Sequence, residues 1–170
     1  MPIKTAVEDL NMSTKLPGEI YRGEVITLPL SLDGQVSVYV WPLRVLNIRG
    51  TGYGGPTIGV DVGNEEVIRF DCHDTPGHWH RGGYDKLGTP GKSHVDFPEG
   101  IDRITPQVEW ALSQIKDNGA ALLEEAEHGE AGKQLDPALV QAAIDRIKSH
   151  VENNADLRPQ AIAENLVQAT

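Results

Sequence analysis

Histidines are concentrated in one short part of this 170-residue chain. Four of the six, His73, His78, His80 and His94, lie within residues 72–100. Imidazole titrates near neutral pH and is a common ligand of transition metals. A cluster of this density therefore indicates acid–base chemistry, metal binding, or histidines that only satisfy neighbouring backbone groups.

The spacing divides the histidines into two short arms. His78 and His80 are two residues apart, and so are His94 and Asp96. Residues at i and i+2 of an extended strand point to the same face. Between the arms lies "RGGYDKLGTPGKS", which is rich in turn residues. If the arms pair as a hairpin, three imidazoles and a carboxylate converge, and His73 joins them or replaces one.

Two kinds of chemistry follow from such convergence. In the first, His78, His80 and His94 bind a divalent transition metal such as zinc, iron, manganese or nickel. In the second, the histidines act without a metal as general acid and base on a phosphodiester, and Asp96 orients one of them. The sequence leaves both open, together with a purely structural role.

Nearby residues fit a phosphate-containing substrate. Arg69, Arg81 and Lys92 are candidates to hold phosphate, and Tyr84 offers a ring on which a base can stack. These residues and the histidine cluster make RNA a candidate substrate.

Other polar residues near the cluster have less specific patterns. Asp71, Asp74 and Asp85 are candidates to support a metal or orient a histidine, but each is individually typical of a turn. Cys72 lies beside a histidine, yet adjacent residues of a strand face opposite ways. It is therefore predicted to be a small buried hydrophobic residue.

The pattern of elements predicts an α+β fold. Residues 1–16 form a lead-in, and residues 17–118 form a β-rich domain with the histidine hairpin and a closing helix. This domain is an antiparallel β-meander or partly open barrel with four or five strands before Cys72, and C-terminal helices follow it. Residues 119–170 form an acidic helical appendage.

Local signals set the expected boundaries. Pro42 indicates an edge strand or a bulge, and "RGTGYGGP" at 49–56 is predicted to be a glycine-rich turn. A helix is expected to begin with Thr105 as its N-cap and to stop at Asn118-Gly119. Asp136 is expected to cap a second helix, which Pro137 opens.

Charge and hydropathy limit the class of protein. The net charge is −10, which argues against nonspecific nucleic-acid binding through bulk charge. We expect a cytoplasmic protein without membrane spans or an export signal. The single cysteine fits a reducing compartment. The apolar stripes of the C-terminal helices serve either homo-oligomer and partner contacts or packing on their own domain.

Residues 65–118 resemble the TumE-type toxins of bacterial toxin–antitoxin pairs and their uncharacterised relatives. The resemblance lies in a strand ending in Arg69-Phe70-Asp71, the His78-Trp79-His80 motif, and His94 before a closing helix. It implies a toxin-like domain that acts on RNA or nucleotides and is held by a protein partner, an antitoxin.

The functional prediction is therefore a hydrolase or ribonuclease-like toxin domain that uses its histidine cluster on phosphodiesters. The alternatives are a non-catalytic binding or assembly module and a metal-dependent β-barrel enzyme with histidine and aspartate ligands.

Overall fold

The computed structural model describes residues 20–88 and 90–169, so the predicted lead-in lies outside the described residues. Within that part of the chain, seven strands form one antiparallel sheet in the order β1-β3-β4-β5-β6-β7, and β2 also pairs with β3. The strands are β1 (Ile20–Arg22), β2 (Ile26–Pro29), β3 (Val36–Ile48), β4 (Thr51–Val62), β5 (Glu65–Asp71), β6 (His78–His80) and β7 (His94–Asp96). The sheet is open, and helices follow it.

The helices lie after the first six strands. They are α1 (Tyr84–Leu87), α2 (Pro90–Ser93), α3 (Ile104–Glu125), α4 (Gly129–Lys133), α5 (Pro137–Asn153) and α6 (Leu157–Ala163). The predicted α+β class, with an antiparallel sheet followed by C-terminal helices, is confirmed. Among the described residues, five strands precede Cys72, within the expected range. In the described residues, no helix is both long and apolar enough to cross a membrane.

Helices α3 and α5 cover one face of the sheet. Their apolar stripes and alternate strand residues form one hydrophobic cluster. The helices contribute buried apolar side chains to this cluster, among them Val108, Leu112, Ile144 and Ile147. The stripe of α5 thus packs on its own chain, and the predicted boundary between residues 118 and 119 falls inside α3.

The predicted end of the long helix is wrong. α3 continues through Asn118 and Gly119 to Glu125, because Leu122 and Leu123 after the glycine are buried in the core. Gly119 itself is buried, and a Cβ there would lie 3.3 Å from Leu135, so close packing accounts for the glycine.

The predicted start of this helix is also wrong. Residue 103, rather than Thr105, is the N-cap and makes no side-chain cap bond. Instead the carboxylate of Asp74, from the loop after β5, accepts a 2.8 Å hydrogen bond from the Ile104 amide. Helix α5, the second helix predicted from the sequence, starts as expected, with the Asp136 side chain accepting a hydrogen bond from the Leu139 amide.

The segment predicted as a glycine-rich turn lies largely within strand β4. The reversal occurs at Arg49 and Gly50, which both have positive φ. Glycine is needed in β4 where other backbone approaches it closely. At Gly55, for example, an added Cβ would overlap the carbonyl oxygen of Cys72.

Candidate metal centre

The sheet face opposite α3 and α5 carries polar and aromatic side chains in two rows that run across strands β3 to β7. Strand pairing defines both rows and brings together residues that are far apart in sequence. One row is Trp41, Thr57, Asp71, His78 and Asp96; the other is Tyr39, Gly59, Arg69, His80 and His94.

Two register shifts add charged residues to this face. The pairing of β3 with β4 shifts between Trp41 and Arg44, so these residues, three apart, face the same way. Pro42 lies inside this bulge, and a bulge was one of the two positions, with an edge strand, that the sequence predicted for it. The pairing of β4 with β5 shifts by one residue in the same manner and directs Glu66 to the face that carries Arg69.

The two histidine arms pair with each other, which is the condition under which the sequence predicted that they converge. β6 and β7 are antiparallel neighbours, with His78 opposite Asp96 and His80 opposite His94. β6 also pairs with β5, which places Asp71 opposite His78. The arms are thus held against a third strand, and that strand supplies the carboxylate at the centre of the cluster.

Asp71 is fully buried at the end of β5 and is no turn residue. Its Oδ1 accepts hydrogen bonds from Arg44 Nη1 at 2.7 Å and from the Thr57 hydroxyl at 3.1 Å. Its Oδ2 lies 3.3 Å from Arg69 Nε, 3.2 Å from His78 Nε2 and 3.4 Å from His80 Nε2. One carboxylate therefore joins two arginines and two histidines.

His78 and His80 each place the second ring nitrogen, Nδ1, within hydrogen-bond distance of an oxygen outside the cluster. Nδ1 of His78 lies 3.0 Å from the Pro76 carbonyl, which can only accept, so Nδ1 donates. Nδ1 of His80 lies 2.9 Å from the Ser93 hydroxyl. This arrangement directs both Nε2 atoms at Asp71, and it is the usual way in which proteins orient metal-binding histidines.

Asp71, His78 and His80 form a group that can hold a metal ion, with ligand atoms within 4.8 Å of one another. For bonds near 2.1 Å, adjacent ligand atoms lie about 3.0 Å apart at a right angle and about 3.4 Å apart at a tetrahedral angle. The two nitrogen–oxygen distances fall in this range. They exceed the ~2.7–2.9 Å of charge-assisted hydrogen bonds.

The protonation of the cluster follows from burial and charge. Burial alone would raise the pKa of Asp71, but Arg69, Arg44 and the hydrogen bonds from His78 and His80 together hold that pKa well below its usual value. Burial, with smaller effects of the Arg69 and His78 charges, lowers the pKa of His80 although Asp71 raises it. For His78, burial is again the largest single effect, but Asp71 and the hydrogen bond to the Pro76 carbonyl together outweigh it, and the pKa is raised.

The remaining predicted members of the cluster lie beside it. The ring of His94 stacks on that of His78 with centroids 4.5 Å apart, and its Nε2 lies 3.1 Å from Asp96. The Asp96 side chain is 93% exposed. Asp71, and not His94, thus completes the group with the two histidines. His73 is buried outside the group, with its Nε2 3.3 Å from the Thr57 hydroxyl that bonds Asp71.

The predicted phosphate-binding residues are dispersed. Arg69 is buried between Asp71 and other partners, and its guanidinium lies 4.2 Å from the centroid of the buried Tyr84 ring. Arg81 forms a bidentate salt bridge with Glu125. Lys92 is exposed on α2. Cys72 is buried in the core, as predicted, and burial raises its pKa well above the usual value.

Sequence reasoning missed three residues that hold the cluster in place. Arg44, a charged residue within the apolar run "VYVWPLRVLNI", offered the clearest signal, because a charge there requires a buried partner. Thr57 and Ser93 left no comparable signal, since serine and threonine are common in strands and turns.

Three comparisons with known proteins bear on this chain. Neither a search of the curated proteins nor a search of the solved structures found a match. The model of one family, described as a domain of unknown function (DUF7700), matches residues 34–151. That range includes strands β3 to β7 and Asp71, His78 and His80, the candidate metal-binding group. It makes no connection with the TumE-type toxins, and that resemblance stays a prediction. Because the match covers more than half of the chain, the protein belongs to the DUF7700 family.

Proposed function

We propose that Asp71, His78 and His80 bind one divalent transition-metal ion and that the protein is a metal-dependent hydrolase. The observation that carries this proposal is the orientation of the two rings. With its Nδ1–H on the Pro76 carbonyl, neutral His78 turns a lone pair on Nε2 toward a carboxylate. Two electron-rich atoms at 3.2 Å require a cation between them, either a proton or a metal.

The second histidine makes the metal the better choice. His80 is buried, and among the described residues its Nε2 has no hydrogen-bond partner, although Asp71 Oδ2 lies 3.4 Å away. Burial lowers the pKa of this imidazole and favours the neutral ring, and when Nδ1 donates to the Ser93 hydroxyl, Nε2 presents a lone pair to a metal. A metal ion satisfies His80, His78 and the carboxylate at once.

The ligand set also restricts the kind of ion. Magnesium and calcium need several oxygen ligands, whereas this group offers two imidazoles and one carboxylate. Arg69 Nε shares Oδ2 with the ion, which weakens the oxygen ligand and leaves the two nitrogens as the main ones. Zinc, iron(II), cobalt(II) and nickel(II) fit this set.

Three protein ligands leave at least one coordination position for water or substrate, as in catalytic zinc sites. A bound ion lowers the pKa of such a water and polarises a phosphoryl or carbonyl oxygen. Phosphodiesters are the first substrates to test, and the resemblance to the TumE-type toxins makes RNA the first natural one.

The metal content of matched variants tests the proposal. Protein purified without chelators is analysed for metals by mass spectrometry, beside His80→Ala and His128→Ala. His128 is the control because it pairs with Glu65, outside the cluster. We expect about one ion per chain in the parent and in His128→Ala, and loss of the ion in His80→Ala. Equal metal content in the two variants, with circular dichroism showing both folded, would contradict the site.

Hydrolysis is tested with bis(4-nitrophenyl) phosphate and an RNA oligonucleotide, before and after chelation. Activity that disappears with the chelator and returns with zinc or iron(II) is expected. Growth arrest on expression, lost in His80→Ala, would add support for the toxin-like role; harmless expression at a high level would count against that role.

One observation favours a second candidate, which is metal-free acid–base catalysis on phosphodiesters. The pKa values of His78 and His80 are shifted in opposite directions, which is typical of an acid and base pair. In this candidate the Asp71 group binds protons and no ion. Hydrolysis that persists in excess chelator, and that falls in His78→Gln, would select it over the metal-dependent reaction.

A further inference from the structure

The cluster is covered by a short arm, residues 81–88, which contains α1. On the polar face the arm places the Tyr84 ring edge-on to His80, with centroids 5.0 Å apart, and under the Arg69 guanidinium. Asp85 Oδ2 accepts a 2.7 Å hydrogen bond from the Glu66 amide in β5. With this cover in place, His78, whose side chain is 13% exposed, is the most exposed member of the metal-binding group.

The arm is attached at its base and outer side by different kinds of contact. At the base, the Arg81 amide donates to the carbonyl of Ser93, whose hydroxyl also holds His80. On the outer side, the Arg81 guanidinium binds Glu125 through two bonds of 2.9 and 3.0 Å. Lys86 pairs with Glu127 and donates to the Ala126 carbonyl.

These outer contacts are made with Glu125, the last residue of α3, and with the two residues that follow it. Both ion pairs are exposed at the surface, where such pairs contribute little stability and are screened by salt. Glycines with positive φ flank the short helix, at Gly82, Gly83 and Gly88. These positions allow large backbone changes at low steric cost, as hinges require.

We propose that the arm is a gate over the metal centre and that its two salt bridges, to Glu125 and Glu127 at and just after the end of α3, control how fast the ion enters and leaves. This inference rests on the metal-binding part of the proposed function. Release of Arg81 from Glu125, and of Lys86 from Glu127 and the Ala126 carbonyl, frees the outer side of the arm, and opening also breaks the Asp85 bond to the Glu66 amide. Rotation at the glycines then carries Tyr84 away from His80, whose Nε2 faces the ion.

The kinetics of metal exchange test the gate. The protein is loaded with zinc, and release into an excess of a colorimetric chelator is followed by stopped flow, with association measured separately. The test protein is the double variant Glu125→Gln/Glu127→Gln. The control is Glu130→Gln, because Glu130 pairs with Lys133 in α4 and does not touch the arm.

In the double variant we expect both association and release to be roughly 2- to 30-fold faster, which corresponds to losing two exposed ion pairs. The Kd should stay unchanged, because a gate affects both directions equally. High salt should accelerate the exchange of the parent and leave the double variant nearly unaffected.

The outcomes separate the two proposals. Exchange rates in the double variant equal to those of Glu130→Gln would overturn the gate while leaving the metal site intact. Faster release without faster association would also overturn it, because that result indicates looser ligands. A parent protein that binds no zinc, iron(II), cobalt(II) or nickel(II) would overturn the metal site and the gate together.

Discussion

The buried carboxylate of Asp71 gives a quantitative test of the charge network that surrounds the candidate metal centre. In the metal-free protein, Asp71→Asn removes the negative charge and nearly preserves the shape of the side chain. We expect the free energy of unfolding at pH 7 to fall by about 3–5 kcal/mol, the usual cost of removing one partner of a buried ion pair.

The structure supports this magnitude from the bonds themselves. Asp71 accepts from Arg44 at 2.7 Å and faces Arg69 Nε at 3.3 Å, and both guanidiniums are buried. Each hydrogen bond to a charged group contributes about 1.5–3 kcal/mol. Arg69 keeps Glu66 at 3.5 Å in the variant, which limits its share of the loss.

The assay is urea unfolding followed by circular dichroism, in the presence of EDTA. Asp96→Asn is the matched control, since this 93% exposed side chain should change stability by less than about 0.5 kcal/mol. Equal effects of the two variants would refute the reasoning.

The pH dependence of the same comparison provides a second check. The arginines hold the pKa of Asp71 well below the ordinary 3.8. A lowered pKa contributes stability that is complete above the unfolded-state value and is lost as the pH falls toward the folded-state value. The difference in the free energy of unfolding between the parent and Asp71→Asn should therefore be complete at about pH 5 and above and should narrow below about pH 4.

Further predictions concern the sheet and the helices. Gly59→Ala should lower the free energy of urea unfolding by about 1–3 kcal/mol, because a Cβ there overlaps the Tyr39 ring. The control Gly91→Ala lies in open space and should change it little. Equal losses in the two variants would contradict this packing. Burial lowers the pKa of His73 to about 3, so below about pH 6.5 the unfolded chain binds a proton that the folded chain does not. Stability should then fall by about 1.4 kcal/mol per pH unit on acidification, and His73→Leu should show a shallower slope between about pH 6 and 4.5. Asp136→Ala should lower stability by about 1 kcal/mol through loss of the α5 cap, and an unchanged urea midpoint would contradict that role.

The histidine hairpin could be predicted because its geometry is local. The i,i+2 spacing of two arms and the turn residues between them are enough to place His78 and His80 on one face. The opposing arm with His94 and Asp96 follows from the same period. The change from strand to helix after residue 100 was equally visible, because the hydrophobic period changes there from 2 to 3.6.

The centre of the cluster could not be predicted, because it depends on pairing between distant strands. Asp71 reaches Arg44 across two strand pairings, and a bulge at Pro42 reverses the side-chain alternation just before that arginine. Period-2 counting places Arg44 and Trp41 on opposite faces, whereas the structure places them on the same one. Glu66 is displaced by a second shift of this kind.

The composition of the cluster itself argues that the histidines serve a ligand. Two arginines and the Thr57 hydroxyl already compensate the charge of Asp71. Two further nitrogens directed at Oδ2 add little that folding requires, since apolar residues usually replace a buried polar group without loss of stability when shape is kept. A purely structural network would not need Pro76 and Ser93 to hold the outer nitrogens and turn the inner ones toward one oxygen. A cation shared by Asp71, His78 and His80, as we propose, would account for both features, and the surrounding arginines would then position the carboxylate that binds it.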